Sequence, residues 1–156
     1  GDSHPLMTRN QFGRGVAYYV PLPLLSRHGL DVVPAELQRF VFDAALPPED
    51  RLVNTTAPDT VEVVLRRKGD EYALHLVNLA LGNREVTKAG TRRYTKITDI
   101  APGPRREISI RLPRRPTAVT LQPQNAPLER WTFENGRLEA TVPEFDVHQM
   151  VVMQVE

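Results

Sequence analysis

Beyond residue 58 the chain alternates apolar and polar positions with a period of two, stretch after stretch. Val61, Val63 and Leu65 alternate with Glu62 and Arg66, and Val64 makes that strand partly two-sided. Lys68-Gly69-Asp70 reads as a turn, and Tyr72 to Leu81 returns as a strand. Its two faces are both apolar, Tyr72, Leu74 and Leu76 against Ala73, Val77 and Leu79, the pattern of a central strand. Ile108, Ile110 and Leu112 alternate with Ser109 and Arg111, as a half-buried strand does, and Pro113 and Pro116 close that segment. Thr117 to Leu121, Arg130 to Phe133, Arg137 to Val142 and Gln149 to Val155 supply four more strands. Asn135-Gly136 between two of them is a strong two-residue hairpin signal, because both residues tolerate the left-handed backbone such a turn needs. About seven short strands with regularly spaced turns predict an antiparallel β-sandwich, a mainly β fold.

The first third reads differently. Thr8 to Asn10 and Gly15 to Val20 predict short strands around Gln11-Phe12-Gly13-Arg14, and Pro21 and Pro23 break the second. A helix follows, with Pro34 at its first position, Glu36 in its first turn, and Leu37, Phe40, Val41, Ala44 and Ala45 at helical spacing. Pro47-Pro48 ends it. The expected organisation is a strand-helix appendage over residues 1–56, the tail of an upstream domain, and a C-terminal sandwich over 57–156. Gly1 in place of Met is compatible with a tag remnant and with an excised piece, and leaves open whether a leader preceded it.

Composition agrees with strands. Fourteen prolines and nine glycines in 156 residues argue against a helical bundle. The absence of cysteine excludes disulfides, thiolate metal ligands and a cysteine nucleophile. No stretch approaches the roughly 20 apolar residues of a membrane-spanning helix, so no membrane partner is expected. The compartment is left open, a secreted or periplasmic parent included.

The net charge of +1 conceals a division. Residues 84–115 carry ten Lys/Arg against Glu85, Asp99 and Glu107, a local +7, which leaves −6 for the remainder. Such a segment suits a polyanion, with salt-sensitive binding, or else a solvated hairpin or a face against an acidic neighbour. Tyr94 is its only ring, so a stacking platform for single-stranded nucleic acid is disfavoured.

Catalytic patterns are missing. His4, His28, His75 and His148 form no close pair in sequence and no His-Glu-x-x-His spacing, so neither metal nor cofactor is expected. His75, inside a central strand, reads as a hydrogen-bonded core histidine. There is no Gly-x-Ser-x-Gly elbow, and Phe12-Gly13-Arg14-Gly15 leads into a strand instead of a phosphate-binding helix. Glu144 and Asp146 flank Phe145 and would share a face on an extended chain, but a solvated loop explains them without a catalytic role. Trp131 has the flat apolar face that stacks on a sugar ring, and is equally a core or interface residue. No catalytic residue is assigned.

The order of motifs resembles a known family. His4-Pro5-Leu6 through Arg9-Asn10, then Phe12-Gly13-Arg14-Gly15-Val16-Ala17-Tyr18-Tyr19-Val20, is similar to the segment closing the trimerisation, or amidotransferase-like, domain of β-galactosidase-type glycoside hydrolases. Pro34 to Leu46 fits the helix that follows there. Ala57-Pro58 with Val61-Glu62-Val63, then Tyr72-Ala73-Leu74-His75-Leu76-Val77-Asn78, resembles the entry to their C-terminal β-sandwich, and Val142-Pro143 through His148 to Val151-Val152 its closing strand. The resemblance implies that the catalytic barrel lies outside this chain, and it carries no catalytic residue over.

The leading expectation is therefore a non-catalytic accessory domain that packs against the catalytic part of its parent or a partner subunit, homo-oligomer contacts included. A carbohydrate-binding module stands second, with Trp131 or Tyr94 as platform and arginines such as Arg92 and Arg93 on acidic sugars. A polyanion-binding domain using residues 84–115 stands third, and a self-contained enzyme last.

Overall fold

The computed structural model describes residues 5–21, 34–80, 84–89, 92–97 and 99–155. The chain divides into two compact units, Gly1–Arg51 and Leu52–Glu156.

In the first unit β1 (Thr8–Phe12) and β2 (Gly15–Tyr19) form an antiparallel hairpin, Phe12 opposite Gly15 and Thr8 opposite Tyr19. Gly13 makes the turn at φ +57°, a backbone region in which a side chain would be strained. Helix α1 spans Ala35–Ala45, with Pro34 at the N-cap, one position outside the helix that the sequence predicts it to open. Glu36 in the first turn meets the positive end of the helix dipole. At the other end Arg51 donates from Nε to the Leu46 carbonyl at 2.9 Å and pairs with Asp43, closing the chain after the short 3₁₀ turn Pro48–Asp50. Val41 is buried, but Phe40 of the expected apolar stripe is 60% exposed.

The second unit is a β-sandwich, as the alternation predicts. Its strands are β3 (Val53–Thr55), β4 (Val61–Lys68), β5 (Glu71–Asn78), β8 (Arg106–Arg111), β9 (Pro116–Gln122), β10 (Ala126–Pro127), β11 (Trp131–Glu134), β12 (Arg137–Val142) and β13 (His148–Val155). Between β5 and β8 the chain forms a separate antiparallel hairpin, β6 (Arg84–Ala89) with β7 (Arg92–Ile97). One sheet of the sandwich has the order β10-β9-β13-β5-β4, the other β11-β12-β8-β3. Every pairing is antiparallel.

The core follows from alternation. Leu74, Leu76, Val151 and Met153 point inward from the first sheet, and Ile108, Ile110, Leu138 and Val142 from the second; all eight are essentially fully buried. Each such side chain contributes about 1.5–3 kcal/mol through removal from water. Asn135 and Gly136, at φ 51° and 74°, make the predicted tight turn between β11 and β12.

Three differences from the sequence reading matter. Val53–Thr55, assigned there to the appendage, is an edge strand of the sandwich, pairing Val53 with Ile110 and Thr55 with Ile108. The basic stretch contains the hairpin β6–β7, whose strands the alternation did not reveal, although a hairpin is one reading of its charge. Strand β5 ends at Asn78, short of Leu81, and its second face is half-buried and directed away from the core. His75 lies on that outer face, so it is not a core histidine.

Candidate functional site

Inward placement of Ile108 and Ile110 forces Glu107, Ser109 and Arg111 onto the outer face of the four-stranded sheet. Inward Leu138 and Val142 likewise turn Arg137, Glu139 and Thr141 outward on β12. The β8–β12 register sets Glu139 opposite Ser109 and Thr141 opposite Glu107, and the β11–β12 register adds Thr132 opposite Glu139. Glu107, Thr132, Glu139 and Thr141, with Glu129, Arg130 and Trp131, border an open groove of about 570 Å³. A second hollow of about 210 Å³ continues it across Asn54–Thr56, and Glu107 and Glu139 belong to both.

Part of this lining is held in place. The Ser109 hydroxyl donates to Oε1 of Glu139 at 2.7 Å, while Arg137 donates from Nε to the Ser109 oxygen at 2.8 Å. Thr55 Oγ1 donates to the Glu107 carbonyl at 2.9 Å, and Thr56 Oγ1 accepts from the Glu107 N–H at 3.0 Å. These threonines fasten the edge strand to β8. The arrangement offers carboxylate acceptors and hydroxyls on a rigid face.

Trp131, singled out in the sequence, is half-buried, packs against the core cluster and carries the Arg115 guanidinium 5.2 Å from its ring centre. Arg92, Arg93 and Tyr94 sit on β7 in the separate two-stranded sheet, opposite Ala89, Lys88 and Thr87. Their side chains lie outside the described part, and β7 belongs to a different sheet from Trp131. The basic stretch is itself divided. Arg106 stands at an inward register position of β8 and Arg111 at an outward one, on opposite faces of one sheet. Glu144 and Asp146 are exposed on either side of buried Phe145.

On the outer face of the five-stranded sheet, His75 and His148 do form a close pair, contrary to the expectation from spacing. Strand β13 sets His148 opposite Val77 and Met150 opposite His75, so the histidines are diagonal neighbours. Nδ1 of His75 lies 3.2 Å from Nε2 of His148. Burial, then His148, then Arg66, push the His75 pKa below its ordinary 6.5. Among the described residues no three His, Asp or Glu converge as metal ligands would.

Asn78, next to this pair, is 4% exposed and ties three segments together. Its Nδ2 donates to the carbonyls of Ala101 and Asp146, both at 2.7 Å, and its Oδ1 accepts from the Ala80 N–H at 3.0 Å. The role is structural. A buried Asn at the end of an apolar strand was the signal that could have marked it.

Compared with protein-family models and with curated proteins, the chain matches none. Among solved structures it is similar to α-L-fucosidase isoenzyme 2 from Paenibacillus thiaminolyticus, with 26% identity and a TM-score of 0.58. The match covers 75% of this chain and 17% of that one, so the chain spans about a sixth of the length of the enzyme it resembles. The likeness supports a glycoside-hydrolase-related domain.

Proposed function

We propose that this chain is a non-catalytic accessory β-sandwich domain of a larger glycoside hydrolase, packed against the catalytic part of its parent. One observation carries the reading: three quarters of this chain resembles a minor portion of an α-L-fucosidase. Glycoside hydrolysis places two carboxyl groups about 5–9.5 Å apart across the scissile bond. The pair suggested by the sequence, Glu144 and Asp146, lies on either side of a buried phenylalanine whose backbone bridges to Gly103. Asp146 engages Asn78 through its main-chain carbonyl. The motif order through Tyr72–Asn78 and Val142–Val152 supports a β-galactosidase-type parent, while the solved relative is a fucosidase.

Two measurements test this. The parental reading frame is expected to encode a catalytic domain beside this one, and a frame without one overturns the proposal. Aryl galactosides and fucosides are expected to stay intact with this chain alone. Hydrolysis that disappears in Glu144→Gln or Asp146→Asn overturns it as well.

A further inference from the structure

We propose that the groove on the outer face of the four-stranded sheet binds a neutral oligosaccharide, held by hydrogen bonds to Glu107, Glu139, Thr132 and Thr141. The site itself rests on the geometry; the choice of a saccharide among polyhydroxylated ligands rests on the accessory-domain reading.

Shape is the first argument. The groove offers about 570 Å³ of shallow, solvent-open space along the sheet, a form that suits an extended ligand lying on the strands. The adjoining hollow of about 210 Å³ shares Glu107 and Glu139 with it, so the depression extends across β3, β8, β12 and β11 and suits more than one sugar unit.

The second argument is the donor and acceptor set. Sugar hydroxyls donate readily, and carboxylates are their strongest side-chain acceptors. Glu139 is pre-set for this, because the Ser109 hydroxyl, itself held by Arg137, engages one of its oxygens at the border of the groove. Threonine hydroxyls on β11 and β12 can both give and accept. A face built on paired strands loses little freedom when a ligand binds.

Charge selects within the saccharides. Among the lining residues Glu107, Glu129 and Glu139 outnumber Arg130, while Arg111 and Arg137 stand beside them on the same outer face. An acidic sugar brought against the three carboxylates is disfavoured relative to a neutral one. This differs from an arginine-lined site for acidic sugars, and it does not need Trp131 as a stacking platform, since Arg115 already occupies a face of that ring.

The test is a titration of the intact chain followed by backbone-amide NMR. The probes are lactose, cellobiose and xylobiose, with a glucuronate-containing disaccharide and spermidine as charge controls. At least one neutral disaccharide is expected to move the amides of Ser109, Thr132, Glu139 and Thr141, and the acidic one is not. The double variant Glu107→Gln/Glu139→Gln is expected to weaken that binding about tenfold. Thr132→Val, which keeps the strand's β-branched shape, is expected to weaken it several-fold. Silence of every neutral probe at its solubility limit, shifts unchanged by the variants, or spermidine binding without sugar binding overturns the proposal. Silence would leave the accessory-domain reading standing, whereas a parental frame without a catalytic domain would sink that reading and leave a positive titration intact.

Discussion

The imidazoles of His75 and His148 lie 13° from parallel with centroids 5.4 Å apart, and a ring nitrogen of each meets the other at 3.2 Å. One ring must donate and the other accept, so the pair accommodates two neutral rings or a single added proton. Two imidazolium ions there would repel, and Arg66 on β4 adds a third cation. Glu62, opposite Val77, is the carboxylate that β4 directs to the same outer face; Val64 and Met150 flank His75 without charge. Since the folded pKa of His75 lies below 6.5, His75 is neutral in both the folded and unfolded chain well above that value, and its titration does not change stability there. As pH falls through 6.5 the unfolded chain takes up the proton first, so stability drops until the folded pKa is passed. Urea midpoints are expected to decline between about pH 7.5 and 5, and His148→Gln to flatten part of that decline. Parallel profiles for the two proteins would contradict this.

Asn78 satisfies two carbonyls and one N–H from three loops. Asn78→Ala removes all three of these part-buried hydrogen bonds and is expected to cost about 2–4 kcal/mol in chemical denaturation. Asn78→Asp is the sharper variant. It keeps the shape but cannot donate to Ala101 and Asp146 at neutral pH, so it is expected to lose nearly as much. Wild-type stability in Asn78→Asp would show that the two donated bonds matter little.

Gly103 faces Phe145 so closely that an added Cβ would sit 3.2 Å from the Phe145 carbonyl and 3.3 Å from its ring. The two backbones also bond reciprocally, at 2.8 and 3.2 Å. Gly103→Ala must therefore push a buried ring or break the bridge, at about 1–3 kcal/mol. Gly15→Ala is the control, because its Cβ would meet only the Phe12 carbonyl at 3.7 Å. Equal melting temperatures for both variants would mean that the Phe145 contact relaxes freely.

What could be read from sequence was whatever repeats locally. The alternations in β4, β5, β8, β12 and β13 and the Asn135-Gly136 turn state their structure within a few residues. Val53-Asn54-Thr55 is too short to show a period, and its place is set by β8 across the sheet. The hairpin Arg84–Ile97 was obscured because charges occupy many positions that would otherwise show alternation. The groove and the histidine pair depend on strand order. Ser109 and Arg111 were legible as outward-facing, but nothing local says that β8 lies beside β12, or β5 beside β13. Trp131 attracted attention by residue type alone, whereas the carboxylates and hydroxyls of the groove become a site only in register.

The edge strand β3 sets the shortest fragment that can hold the sandwich together. All residues of the buried core cluster lie between Val61 and Val155, and Val53 packs against it from β3. A fragment of residues 52–156 is therefore expected to unfold cooperatively by itself. A fragment of residues 57–156, cut at the boundary that composition suggests, loses Val53 and the hydrogen bonds that Leu52, Thr55 and Thr56 make with β8. That loss is expected to cost about 2–4 kcal/mol. It also bares the edge of β8, a surface prone to pair with another chain. Urea denaturation and light scattering of the two fragments side by side check the claim. Equal stability and equal monodispersity would show that β3 is dispensable and that the sandwich closes at β8.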